Sequence, residues 1–384
     1  MDKTTNVLFV MPEMTMGGSE RLVHSLIKKI DPDRFNPSVA WFCGDAVSEE
    51  FGGLGIPLYR VPKTKRVDVR AMRALARIIG EKKIDVVNAH HFMPFVYSFY
   101  GAKIANRARL FYTEHSVWEL DKVPWKWRIP ASFMLARSDG AIGVSAAVTV
   151  RIRGMFRVKD SKSFTIANGI DPDIFAGEGG TPSLRRELGI KENEKVIGMV
   201  ANFRKIKNHL FLLKAFDELA RDRQDMKLLL VGQGFEGDEE NSEPEIRNFI
   251  EGKRLGGRVL LAGHRTDVPA LLNLMDVFCL TSYKEGLPIS MIEAMAAGLP
   301  VVASDAEGIR DVAGGGNGLL VKSGDVQVLK NALGMLLEDD RLRETLGLKA
   351  RATAINKYSL NECAGRYERL FRPAADAGRA VNTG

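Results

Sequence analysis

Ser282-Tyr-Lys-Glu285-Gly286-Leu287-Pro288-Ile-Ser290-Met-Ile-Glu293-Ala-Met-Ala-Ala-Gly298-Leu-Pro300-Val301 decides the reading of this 384-residue chain. It follows an apolar run at 277–280 that reads as a strand, so it opens at that strand's C-terminal edge. Pro288 suits the first turn of a helix, where its missing N–H would be unpaired anyway, and the apolar spacing predicts that helix over 289–297. Gly286 and Leu287 then present backbone N–H groups just ahead of a helix N-terminus, a ready site for an anion such as a diphosphate. Glu285 stands at the mouth, and Glu293 lies eight residues on, about two turns into the helix. A carboxylate accepts two hydroxyl donors, so the pair suits a ribose diol and sugar hydroxyls. Two glutamates at this spacing are common by chance; set inside Glu-Gly-Leu-Pro and Glu-Ala-Met-Ala-x-Gly-x-Pro-Val they are specific.

Outward from this stretch, apolar runs alternate with helical patterns twice over. Strands are predicted at 7–11, 38–42, 86–89, 110–113, 140–144 and 164–166, with helices at 19–29, 69–81, 93–104, 126–136 and 146–155. After a Gly- and Pro-rich connection the pattern restarts, with strands at 195–200, 227–231, 259–262, 277–280 and 301–303. Its helices are predicted at 208–221, 245–253, 268–275, 289–297, 326–337 and 340–355. Continuous apolar strands separated by helices make parallel, doubly wound α/β sheets. The expectation is two Rossmann-like domains, 1–168 and 169–357, facing a cleft, with a C-terminal helix near 358–372 returning to the first. Ligands of such sheets bind at the strand C-terminal edges.

From Glu285 to Val301 the sequence closely resembles the signature of the family-4 retaining glycosyltransferases of GT-B type, and the resemblance extends over essentially the whole chain. It implies a hexosyltransferase-type enzyme that moves a sugar from a nucleoside diphosphate sugar, most commonly UDP-linked. The acceptor it implies belongs to the cell envelope, a polysaccharide or a lipid carrier. It gives Glu285 the donor sugar's hydroxyls and Glu293 the nucleotide ribose, and it implies same-face attack guided by the leaving phosphate, without a metal or other cofactor. Nucleotide-sugar 2-epimerases share the architecture and are the rival reading, but lack the Glu-Gly-Leu-Pro run.

Other stretches fit this resemblance. Asn202-Phe-Arg204-Lys205-Ile-Lys207-Asn208 follows the first strand of the second half, where an Arg and a Lys can clamp a diphosphate and take up charge on a leaving phosphate. Arg204 and Lys207 match the family's cations; Lys205 competes for the second role, and Asn208 stands where the family often has Gly. Met16-Gly17-Gly18-Ser19-Glu20 permits close backbone approach to a ligand, and Gly17 and Gly18 are expected on the donor side. Gly232, in the family's Val-Gly-x-Gly turn, and Arg265 join them. His115, ending a strand, is the family's match for a histidine on the donor sugar's 6-hydroxyl, with a buried structural histidine as the alternative. His90 and His91 are acceptor-side candidates.

Two motifs are set aside. Gly232-Gln-Gly234-Phe-Glu-Gly237 spells a dinucleotide fingerprint, but it does not open the fold and runs into Asp238, Glu239 and Glu240, which would repel a pyrophosphate. Asp171-Pro-Asp173 lies in the connection and is weak as a metal site.

Charge is uneven: residues 1–170 carry 26 Lys and Arg against 16 Asp and Glu, and the remainder 29 against 32. The basic half suggests an anionic partner, whether lipid head groups, a diphospho-lipid or nucleic acid, with a solvated basic surface as the alternative; no recognised nucleic-acid module is present. Two segments in it are membrane candidates. One has Arg66, Arg70, Arg73 and Arg77 in and before a helix; the other is Lys122-Val-Pro-Trp125-Lys-Trp127-Arg-Ile-Pro130. The alternative is a solvated basic helix, with the tryptophans lining an acceptor pocket. Cys43, Cys279 and Cys363 form no disulfide or zinc pattern. With no signal-peptide core and no run of about 20 apolar residues, a cytoplasmic protein is expected, peripheral on the inner membrane face if it meets a membrane.

Overall fold

The computed structural model describes residues 4–14, 18–45, 48–65, 67–175, 177 and 182–372. The chain divides into two compact units, Met1–Gly169 with Leu360–Gly384, and Ile170–Ser359.

The first unit holds a seven-stranded parallel sheet: β1 (Thr5–Glu13), β2 (Phe35–Cys43), β3 (Leu58–Arg60), β4 (Val86–His90), β5 (Arg109–Glu114), β6 (Gly140–Gly143) and β7 (Ser163–Thr165). Their spatial order is β3-β2-β1-β4-β5-β6-β7. Val7 to Met11 are wholly buried, as expected of a central strand covered by helices on both faces. The helix Leu360–Phe371 belongs to this unit because Cys363, Ala364, Tyr367 and Phe371 complete the core around Val7, Phe9 and Phe111. Fully burying one such large apolar side chain stabilises by about 1.5–3 kcal/mol.

The second unit holds six parallel strands: β8 (Lys195–Val200), β9 (Met226–Val231), β10 (Val259–Gly263), β11 (Val277–Leu280), β12 (Val301–Ser304) and β13 (Leu319–Val321). Their order is β10-β9-β8-β11-β12-β13. In both sheets the order reverses beside the first strand, between β1 and β4 and between β8 and β11. The loops leaving those strands diverge to opposite faces, and the crevice they open is where such sheets take ligands.

Two strands escape the sequence reading, β3 and β13. Each has three residues and lies at a sheet edge, too short for an apolar run to register. The predicted helix over 93–104 is an α-helix, Phe92–Phe99, running into a π-helical stretch, Tyr100–Ala105. The glutamate helix is shorter than the pattern implied: it spans Ile289–Ala296, with Pro288 capping it rather than lying inside it. Glu293 is therefore just over one turn into the helix, not two. Among the described residues, no helix is long and apolar enough to cross a membrane.

Candidate active site

The switch point of the second unit gathers the residues singled out around β8 and β11. After β8 the chain makes a short 3-10 turn, Lys205–Lys207, and enters the helix His209–Asp222 through Asn208, whose φ of 52° is left-handed. Asn tolerates that region far better than most residues, which explains how it stands in place of glycine. Lys207 Nζ donates to Glu285 Oε1 at 2.6 Å, and Ser282 Oγ donates to the same oxygen at 2.6 Å. Both bonds land on Oε1, so Oε2 lies outside this pair of contacts. Glu285 is thus aimed by one cation and one hydroxyl, a fixed acceptor beside a cation.

Arg204 is held by Asp238, its Nε donating to Oδ2 at 2.6 Å. That bond uses one of five guanidinium N–H donors. The acidic run read as repelling a pyrophosphate therefore has another part: Asp238 orients Arg204, while Glu240 and Glu239 offer backbone carbonyls to Lys205 N and Nζ. Lys205 is turned to that loop, which leaves Lys207 as the lysine beside Glu285.

Two glycines shape these loops. A Cβ on Gly232, at φ 143°, would sit 2.0 Å from the Ala201 carbonyl oxygen. Gly232 thereby lets the β9 turn close on the loop after β8. Gly308, which the sequence reading missed, has φ 79°, and a Cβ there would meet the Glu285 carbonyl oxygen at 2.2 Å. Its signal lies only in the tertiary contact.

Gly308→Ala is expected to lower the site's activity on the order of 10-fold or more by displacing the Glu285–Gly286 backbone. Gly257 has a similar φ of 82° but open space around its Cβ position, so Gly257→Ala should cost only the backbone strain, about 1 kcal/mol. Thermal melts beside steady-state rates separate the two. Equal loss of activity in both variants, or in neither, contradicts the assignment.

Arg265 does not join this cluster. It follows the edge strand β10 and is gripped by Asp267 at 2.7 and 2.6 Å and by Glu187 at 2.8 Å. Those hydrogen bonds, Asp267's first, raise its pKa further. Glu293 lies half-buried in the Ile289–Ala296 helix. Asp171 and Asp173 form a local turn in which Asp173 N donates to Asp171 Oδ1 at 3.3 Å.

The first unit's switch point is a second polar centre. Ser19 and Glu20 open the helix Gly18–Lys29, His91 follows β4, and Glu114 and His115 end or follow β5. His90 and His91 part company because His91 has φ 69° and ψ 163°, a region that costs a non-glycine residue about 1–3 kcal/mol and clusters at functional sites. His91 N donates to Thr113 O at 2.9 Å, which helps hold the turn. His91 Nδ1 lies 3.4 Å from Glu114 Oε1, and its Nε2 lies 3.1 Å from Ser19 Oγ. Glu114 also accepts from Tyr112 Oη at 2.6 Å and from His115 N at 2.8 Å.

Burial opposes charge on His91, but the hydrogen bond to Glu114 and the charges of Glu114, Glu20 and Glu119 outweigh it and raise its pKa. His90 is driven the other way, down to about 3, by burial and the His91 charge. Burial, then His91 and His90, push His115 well below its usual range. His90 and His115 are thus a neutral pair, Nδ1 to Nε2 at 2.8 Å, and His90 is wholly buried. Of the two acceptor-side candidates, only His91 reaches open space. It lines a cavity of about 520 Å³ with Glu20, Glu114, Glu119, Lys122 and Trp127 among others. Glu20, itself raised by burial against bonds from its own backbone and Ser19, forms another wall.

Gly18 begins its helix with open space where a Cβ would be, and Gly17 lies outside the described residues. Among the described residues no group of three or more His, Cys, Asp and Glu side chains converges as a metal site. Cys279 and Cys363 are buried thiols with raised pKa values, Cys363's pushed up to about 12 by burial.

Known proteins resemble this chain in sequence and architecture. The second half matches the family described as Glycosyl transferases group 1 over residues 181–353, and the first half matches Glycosyltransferase Family 4 over residues 16–174. The N-acetyl-alpha-D-glucosaminyl L-malate synthase of Bacillus anthracis is 28% identical over 322 residues, 82% of this chain and 81% of that protein. An Escherichia coli enzyme, UDP-Gal:alpha-D-GlcNAc-diphosphoundecaprenol alpha-1,3-galactosyltransferase, is 25% identical over 79% of each chain. Among solved structures, Anabaena Alr3699/HepE in complex with UDP superimposes with a TM-score of 0.83 at 22% identity, covering 95% of this chain and 98% of that one. With matches in both halves and the same two parallel sheets, the chain belongs to the group 1 glycosyltransferases and has their GT-B fold.

Proposed function

We propose that the protein transfers a sugar from a nucleoside diphosphate sugar, a UDP sugar foremost, to a lipid-linked or cell-envelope glycan acceptor, with retention of anomeric configuration. The observation that carries this is the cluster of Arg204, Lys207, Ser282 and Glu285 at the second unit's switch point, beside the Gly286–Leu287 approach to a helix N-terminus.

The donor's diphosphate lies against Arg204, Lys207 and the Gly286–Leu287 amides, and the sugar hydroxyls meet Glu285. As the bond from the anomeric carbon to the phosphate oxygen breaks, its electron pair goes to the diphosphate, and the cations and amides take up that charge. The acceptor hydroxyl bonds to the anomeric carbon on the same face, and its proton passes to the leaving phosphate. Glu293 holds the ribose. The acceptor's ring enters the first unit's cavity, where Trp127 offers an apolar wall and Glu20 and His91 offer hydroxyl partners. His115, held against His90, is proposed for the donor sugar's 6-hydroxyl. The strained backbone at His91 supports a binding role for that edge.

Names of relatives support the substrates. The E. coli enzyme uses UDP-Gal and a diphosphoundecaprenol-linked sugar, and the Anabaena protein has been solved with UDP-glucose. We place the reaction on the cytoplasmic face of a membrane and without a divalent ion, since fixed cations and a helix N-terminus occupy the part an ion would play.

A transfer assay with UDP sugars and a short-chain diphospholipid-linked N-acetylhexosamine, run in excess EDTA with the product anomer read by NMR, tests the proposal. The expected result is undiminished transfer and an anomer matching the donor's. Loss of transfer restored by magnesium or manganese would overturn the metal-free reading, and an inverted anomer would overturn retention. A nucleotide sugar epimerised without acceptor would replace transfer with isomerisation.

A further inference from the structure

The structure separates the two tryptophans of the 122–130 segment. Trp127 lines the first unit's cavity, whereas Trp125 faces away from the core and is 81% exposed. Trp125–Trp127 forms a 3-10 turn that runs directly into the helix Arg128–Arg137. The inner face of that helix buries Ala131, Met134 and Leu135. Its outer face carries Ile129, 83% exposed, and Phe133, 52% exposed. Ile129 and Phe133 fall four residues apart in the helix and so share one side, and Trp125 stands in the turn that leads into it. Isolated exposed apolar residues are ordinary on protein surfaces. Three large ones, each more than half exposed, on one short segment form a stripe, and such stripes mark interaction surfaces.

The surrounding charge selects the partner. From Lys122 to Ser138 the chain has four cations, Lys122, Lys126, Arg128 and Arg137, and no Asp or Glu. Arg137 lies over the Phe133 ring at 3.6 Å, and the adjacent Asp121 is bound to Arg151 at 2.5 Å. A second copy meeting this face would set cations against cations. A bilayer containing anionic lipid offers negative head groups to the cations and an interfacial zone that suits Trp.

We infer that the Trp125–Ile129–Phe133 stripe docks the protein on an anionic bilayer. The stripe continues into the cavity rim through Pro124 and Trp127, so a lipid-borne acceptor would enter beside the docking face. This purpose rests on the proposed acceptor; the docking itself does not. It also differs from docking through the arginine helix Val69–Glu81. There Arg70, Arg73 and Arg77 share an exposed face flanked by the smaller apolar side chains of Val67 and Val69, with no aromatic on the helix, and Arg66 lies outside the described residues.

The test is sedimentation of the full chain with vesicles of phosphatidylcholine and phosphatidylglycerol, and with phosphatidylcholine alone. The wild type should sediment with the mixed vesicles, more weakly at high salt, and little with the neutral ones. The triple variant Trp125→Ser, Ile129→Ser, Phe133→Ser should lower partitioning on the order of 10-fold or more. Its melting temperature, UDP binding and transfer to a water-soluble acceptor analogue should be unchanged. The proposal is overturned by wild-type protein that does not sediment, or by a triple variant that sediments like wild type. It is equally overturned if only Arg70→Gln, Arg73→Gln, Arg77→Gln releases the protein, or if light scattering shows a dimer that the triple variant dissociates. Vesicle binding without UDP binding would refute the proposed donor while leaving the docking surface standing.

Discussion

Lys207→Ala is expected to reduce kcat/KM for sugar transfer on the order of 100-fold or more, and Arg204→Ala by a comparable factor. Losses of this size follow when a fixed donor is removed from a position where charge develops in the transition state. The two variants should differ in detail. Lys207 both faces the proposed phosphate position and aims Glu285, so its removal leaves a side chain that is only 10% exposed without its cation. Ser282 would still hold Oε1, so the loop should keep its fold while Glu285 loses its aim. Arg204 is tied to Asp238 rather than to Glu285, and its loss should leave Glu285 in place. Steady-state rates for both variants, with UDP titrations alongside, check this. Near-normal rates in both would remove these cations from the mechanism.

The sequence could reveal that cluster only in part. Strands 195–200 and 277–280 were legible because both are continuous apolar runs buried on both faces, and the residues following them are therefore placed at sheet edges. That β8 and β11 are spatial neighbours at the reversal of strand order follows from topology. The order also sets Arg265 apart from these direct contacts: it follows β10, two strands from β8, and bonds to Asp267 and Glu187. Asp238 lies 34 positions from Arg204, and no local pattern connects them. Read alone, it is one of three carboxylates in a turn, and its sign counted against a phosphate site. Folded, it is a partner to one cation. Gly308 was similarly opaque, since its need for a missing Cβ exists only against the Glu285 carbonyl.

The consecutive histidines carry the same lesson at shorter range. Alternation along a strand would send His90 and His91 to opposite faces in any case. The strand ends at His90, however, and the positive φ of His91 starts a turn. That single backbone angle separates a core residue from a cavity residue. Trp125 and Trp127 read in the sequence as a pair, both at a membrane interface or both lining an acceptor pocket, but the 3-10 turn directs one to solvent and the other to the cavity.

Glu285→Ala should lower turnover on the order of 100-fold while leaving UDP binding as tight as in the wild type or tighter. Glu293→Ala should instead weaken UDP by about 10- to 100-fold, the loss expected when a hydrogen bond to a charged group, about 1.5–3 kcal/mol, is removed. The contrast follows from what each carboxylate faces. Glu285 is drawn to Lys207 in the ligand-free protein, so UDP must share that lysine with a carboxylate. Removing the carboxylate releases the lysine to the diphosphate, and only the sugar loses a partner. Glu293, on the helix behind Gly286 and Leu287, is proposed to hold the ribose, which UDP and the UDP sugar have in common. Its loss should therefore appear equally in the Kd of UDP and the KM of the donor. Glu285→Gln separates charge from hydrogen bonding. If it restores part of the turnover, the hydroxyl contact contributes; if it behaves as Ala does, the negative charge is what the donor sugar requires. Calorimetric titration of UDP into the three variants, beside donor kinetics, decides the division of labour. Equal weakening of UDP by Glu285→Ala and Glu293→Ala would reject it.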